Sequence, residues 1–152
     1  MTFSATELLA YLELSRPING VIAFISVVLG AMFALRGGLN LLGDPIVLIA
    51  ALSALLLLSA GNAINDYCDC EIDRINKPQR PIPSGRIRRS GALIFAIVLI
   101  GVGITFGALV NRYAAAIAVS VSTCLIGYAL WLKRTPIVGN LVVGVLTGLT
   151  FI

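Results

Sequence analysis

The chain has 152 residues, of which 59% are hydrophobic and 12% charged; it holds no His, its net charge is +4 and its mean hydropathy is +1.00. Soluble domains sit at about 45–50% apolar and roughly 25% charged, so a water-soluble globular protein is excluded, and a chain this apolar cannot stay solvated as a disordered one. What remains is an all-α, polytopic transmembrane helix bundle in which, at about 20 apolar residues per span, roughly five spans are the ceiling.

Residues 1–15 lack the basic leading region of a signal peptide and are interrupted by Glu7 and Glu13. Ser4 followed by Glu7 predicts a capping box. Leu8, Leu9, Tyr11 and Leu12 then predict a short helix in the membrane interface, ended by Arg16-Pro17, with a frayed terminus as the alternative. The first apolar run covers 18–35 and the second 45–64. A polar segment, 65–90, follows as a loop. Spans at 91–110 and 113–132 are joined by the tight Asn111-Arg112 turn, and a fifth begins near Ile137. Residues 137–152 would cover only about 22–24 Å of a hydrocarbon core roughly 30 Å thick. The expectation is therefore one partial domain over 1–152, with four full spans and a truncated fifth.

Basic residues near span ends stay cytoplasmic. Arg16, then Arg74, Lys77, Arg80, Arg86, Arg88 and Arg89, then Lys133 and Arg134 share one predicted side, nine of the eleven, with Arg36 and Arg112 opposite. This places the amino terminus and 65–90 in the cytoplasm of a multi-pass cell-membrane protein. The basic residues cluster at span ends instead of covering a solvated face, so nucleic acid is not an expected partner; membrane lipids are. Arg86 to Arg89 read as a topology anchor. Cys68, Cys70 and Cys124 have no metal-site or disulfide spacing and read as small fillers.

Four of the seven acidic residues fall within eight positions, Asp66 to Asp73. If the second helix runs on, Asn65, Asp69 and Asp73 lie at i, i+4 and i+8 on one stripe, where the carboxylates repel one another at the end of a helix whose dipole disfavours them. A divalent cation accounts for that cost. Carboxylate and amide oxygens without His suit Mg²⁺ or Mn²⁺, and Mg²⁺ completes its shell with water and phosphate oxygens, so the expected substrate is a phosphate or diphosphate. Arg74, Lys77, Arg80, Lys133 and Arg134 fall on the same predicted face and would clamp the anion. A solvated acidic turn balanced by neighbouring Arg and Lys is the competing explanation.

The run Asn65-Asp66-x-x-Asp69-x-x-x-Asp73, continuing through Arg74-Ile75-Asn76-Lys77-Pro78-x-Arg80-Pro81-Ile82-Pro83-Ser84-Gly85, resembles the first aspartate-rich motif of the UbiA superfamily of intramembrane prenyltransferases. Arg16-Pro17-x-Asn19 and Tyr128-x-x-x-x-Lys133-Arg134-x-Pro136-x-x-Gly139-Asn140 are similar to the family's patterns in the same order, and the likeness extends over essentially the whole chain. It implies about nine helices around a central cavity, with two aspartate-rich motifs that each help hold Mg²⁺ and the diphosphate of an isoprenoid donor. Only the first is present, which implies the amino-terminal half alone and, as a further expected partner, a second polypeptide supplying the rest.

The implied chemistry is ionisation of an allylic diphosphate and capture of the allylic cation by an acceptor, with the leaving group stabilised electrostatically. On this reading Asp69 and Asp73 are catalytic and, with Asn65, hold Mg²⁺. Asp66, Arg74, Lys77, Arg80, Lys133 and Arg134 bind the prenyl diphosphate donor, Asp66 less directly because it sits about 100° round the helix. Asn19 lines the acceptor side, unless it, like Asn140, serves an interhelical hydrogen bond. The wording of 73–85 most resembles the archaeal-type branch that geranylgeranylates geranylgeranylglyceryl phosphate in membrane ether-lipid biosynthesis. A lipid acceptor is thus expected, with an aromatic acceptor of quinone biosynthesis or an inactive remnant as alternatives; a transporter half would carry mid-span charges, which are not evident.

Overall fold

In a computed structural model, residues 4–35, 38–131, 144–145 and 148 are described. Their architecture is all-helical: α1 (Ala5–Ser15), α2 (Pro17–Ala34), a 3-10 turn (Gly38–Gly43), α3 (Pro45–Cys68), α4 (Cys70–Asn76), α5 (Arg89–Val110) and α6 (Arg112–Leu130). Four of these, α2, α3, α5 and α6, are long and apolar enough to cross a membrane.

Helix starts follow from local chemistry. The Ser4 hydroxyl accepts from the Glu7 amide while Glu7 reaches back to the Ser4 amide, closing the capping box on α1. Asp44 caps α3 through the Ile46 and Val47 amides, with Pro45 in the first turn, and Asn111 caps α6 through the Tyr113 and Ala114 amides.

Helix α3 is the hub, packed against α1, α2, α5 and α6. Lipid tails are as apolar as the side chains they would release, so helices associate in a bilayer through close fit and small residues. Gly20 of α2 sits against Leu55 and Ser59, Gly61 of α3 against Leu125 of α6, and Gly103 of α5 against Leu57. The Ser53 hydroxyl donates to the Gly103 carbonyl at 2.7 Å, so the polar group on this face is satisfied at the closest approach. Outward residues such as Ile22, Ile25, Phe33, Ile94, Ile97 and Val98 are exposed, as a lipid-facing surface requires.

Helix α1 is docked, not frayed. Ala10 and Leu14 are fully buried and the Tyr11 ring packs on Phe95 with centroids 5.1 Å apart, whereas Leu8, Leu9 and Leu12 remain exposed. The expected loop 65–90 is in large part helical: α3 runs four residues beyond Ile64, and α4 follows at once. Cys70 is buried in the apolar cluster joining α1, α3, α5 and α6, in keeping with a filler role. The expected fifth span, 137–152, lies almost wholly outside the described residues, as do Lys133, Arg134 and Asn140.

Candidate active site at the end of the third helix

Backbone bonding carries the helix through the acidic motif. The Asp69 amide donates to the Asn65 carbonyl at 2.9 Å, the Asp73 amide to Asp69 at 2.8 Å, and the Lys77 amide to Asp73 at 2.8 Å. At Asp69 itself the backbone leaves regular helical geometry, with φ −88 and ψ 3, and this residue ends α3 and precedes α4. This departure falls in the middle of the stripe expected of Asn65, Asp69 and Asp73.

Asp73 turns inward beside Asp66, and each is only 5% exposed. A buried carboxylate is costly unless it is paired and hydrogen-bonded. Both conditions are met: one Asp66 oxygen accepts from Arg16 at 2.5 Å and from Arg80 at 3.1 Å, and the same Arg80 nitrogen reaches Asp73 at 2.5 Å. Two guanidinium and two carboxylate groups thus form a neutral cluster. The Asn62 amide, one turn before Asp66, donates to the Ser15 carbonyl at 3.2 Å, so this face of α3 meets the α1–α2 junction.

Asp69 points elsewhere. It lines an open recess of about 420 Å³ with Tyr67, Cys68, Ile72 and Arg89 and with Ala129 and Leu130 at the end of α6. Asn65 lies between Gly61, which faces Leu125 of α6, and Asp69, on the same i, i+4 row. The α6 side of α3 therefore carries Asn65 and Asp69, close to where the chain leaves α6 toward Lys133 and Arg134.

The other expected residues are more scattered. Arg74 is exposed and bonds Glu71 at 2.8 Å; Lys77 is exposed and its amide caps α4; Asn19 is exposed in the first turn of α2. Arg80 is occupied by carboxylates. Two arginines read only as topology markers have structural partners. Arg86 joins α1 to the turn before α5, reaching Glu13 and the Gln79 carbonyl at 2.7 Å each, and the Glu13 hydrogen bond pushes its already high pKa further up. Arg89 stacks over Tyr67 at 4.6 Å in the recess. Arg16, read from the sequence as a topology marker and as part of the Arg16-Pro17-x-Asn19 pattern, was not expected in the site; its pairing with Asp66 is what the sequence left out.

Among the described residues no group of three or more His, Cys, Asp or Glu side chains is arranged to hold a metal. Asp69 brings a carboxylate to the recess, and Asn65, one turn earlier on the same row of α3, carries an amide oxygen. A cation that takes one or two protein ligands and completes its shell with water and phosphate fits this donor set, whereas a closed protein cage does not.

A profile of the UbiA prenyltransferase family matches residues 23–152. The digeranylgeranylglyceryl phosphate synthase of Methanopyrus kandleri is 43% identical over 143 residues, which cover 94% of this chain and 51% of that protein. The synthase of the same name from Methanothermobacter thermautotrophicus is 41% identical over 142 residues, 93% of this chain and 48% of its own. A solved structure described as "Structural and mechanistic insights into the biosynthesis of Digeranylgeranylglyceryl phosphate synthase in membranes" superposes with a TM-score of 0.88 at 36% identity, covering 95% of this chain and 51% of that one. The chain spans about half the length of the relatives it matches.

Proposed function

Since the chain belongs to the UbiA prenyltransferase family, we propose that it forms the amino-terminal half of an enzyme that moves a geranylgeranyl group from its diphosphate to geranylgeranylglyceryl phosphate. The C1–O bond of the allylic diphosphate breaks, the acceptor's hydroxyl oxygen forms the new ether bond, and the hydroxyl proton is released. The observation that carries this reading is the placement of Asp69 of the aspartate-rich motif in an amphiphilic recess at the end of α6. Relatives named for a lipid product support a lipid acceptor over an aromatic one.

Asn65 and Asp69 supply the oxygen ligands for Mg²⁺, which when bound neutralises charge on the departing diphosphate. Arg74 and Lys77, exposed on and just after α4, attract the diphosphate, joined by Lys133 and Arg134 later in the chain. Ile72, Ala129 and Leu130 give the recess an apolar side for the prenyl chain. Asn19, exposed in the first turn of α2, is assigned to the acceptor side. Asp73, Asp66 and Arg80 are engaged with one another and take a different part.

The distribution of basic residues supports a cytoplasmic amino terminus and 65–90 segment, with Leu8, Leu9 and Leu12 of α1 set into the inner leaflet. A second polypeptide, or further chain, supplies the remaining half. To test both function and orientation, the chain is completed with the carboxyl-terminal half of the Methanopyrus kandleri relative and given labelled geranylgeranyl diphosphate from outside sealed vesicles. Mg²⁺-dependent labelling of geranylgeranylglyceryl phosphate in inside-out vesicles is the expected result. Labelling confined to right-side-out vesicles reverses the orientation, transfer only to an aromatic acid changes the acceptor, and no transfer removes the assignment.

A further inference from the structure

Arg16 is the one non-glycine residue with positive φ among those described, at φ 50 and ψ 68. Left-handed backbone is disfavoured for a residue with a Cβ, and no glycine stands here. The residue serves as the end of α1 and the start of α2 together: its amide donates to Glu13, and its carbonyl accepts from Asn19 at 3.0 Å and from Gly20 at 3.4 Å. From this junction its guanidinium reaches Asp66, 50 residues on.

The pairing continues into a closed circuit. Asp66 holds Arg80; the turn containing Arg80 is folded on itself through the Ile87 amide to the Pro81 carbonyl at 3.1 Å; Arg86 from the same turn returns to Glu13 of α1. Two helices and one turn are thereby tied around the end of α3, with Arg80 also holding Asp73. None of these groups lines the recess occupied by Asp69.

We infer that Arg16, Asp66 and Arg80 are positioning residues: their ion pairs lock the α1–α2 junction and the 77–88 turn onto α3, fixing where Asn65 and Asp69 face, and they make no contact with substrate. The inference rests on the proposed diphosphate site for its purpose, but the locking is measurable without it.

Backbone amide exchange is followed by mass spectrometry on the whole chain in lipid nanodiscs, alongside binding of pyrophosphate with Mg²⁺. Arg16→Gln and Asp66→Asn are expected to accelerate exchange at least tenfold at Arg16, Asn19, Gly20 and Ile87. Arg16→Lys, which keeps the charge, retains most of the protection, and Asp69→Asn leaves exchange at those amides unchanged. If Asp66→Asn fails to fold, the Arg16→Gln and Arg16→Lys pair decides alone. Unchanged exchange in Arg16→Gln overturns the inference, as does weakened pyrophosphate binding in Arg16→Gln with protection intact, which would make Arg16 a ligand contact. A wild-type chain that is protected as described but takes up no pyrophosphate counts against the proposed function and leaves the locking in place.

Discussion

Arg80 bridges two carboxylates that are almost sealed from solvent, whereas Arg74, six residues earlier, pairs with Glu71 on an exposed helix face. The two were read from sequence as equivalent diphosphate clamps, and burial separates them. Removing one partner of a buried ion pair leaves an uncompensated charge and costs about 3–5 kcal/mol, while an exposed i,i+3 pair contributes about 0–1 kcal/mol. Arg80→Ala is therefore expected to lower thermal stability in detergent by several kcal/mol and Arg74→Ala by no more than about 1 kcal/mol; equal small effects would mean the Asp66–Asp73 cluster is solvated. The residue types of the site were legible because four carboxylates at a helix end need counter-charge. The pairing was not, since it depends on an arginine 50 residues away and on the backbone turn at Asp69.

At the level of elements, apolar length and flanking charge were enough to locate the four long helices, and Ser4 with Glu7 was enough for the start of α1. The end of α3 was harder to read, because Asp66 looks like a loop residue until Arg16 at the α1–α2 junction and Arg80 in the turn after α4 are brought against it. Helix packing was not readable either: nothing in the spacing of glycines says which one meets a neighbour. A Cβ on Gly103 would lie 2.7 Å from Leu57 Cδ2 and 2.9 Å from Cγ, whereas one on Gly101 would meet nothing within 4 Å. Gly103→Ala is expected to destabilise by about 1–3 kcal/mol through overpacking, and Gly101→Ala to stabilise by up to about 1 kcal/mol. Unfolding of both variants in mixed micelles checks the contrast, and Leu57→Ala in the Gly103→Ala background should recover part of the loss.

For the whole molecule, α3 divides two tasks between two of its faces. One face, with Asp66 and the nearby Asp73, is closed by arginines from α1–α2 and the following turn; the other carries Asn65 and leads to Asp69, which opens toward the end of α6. The family follows from the motif and from the match over 23–152, and the chain accounts for about half the length of its relatives. The motif by itself does not name an acceptor, because a fold does not fix the function built on it. The most direct test of this division is calorimetry on the chain completed with the second half of the Methanopyrus kandleri relative, titrating pyrophosphate with and without Mg²⁺. The account predicts heat of binding that requires Mg²⁺, disappears with a chelator and falls at least tenfold in affinity in Asp69→Asn. Binding that is indifferent to Mg²⁺, or undiminished in Asp69→Asn, would contradict it.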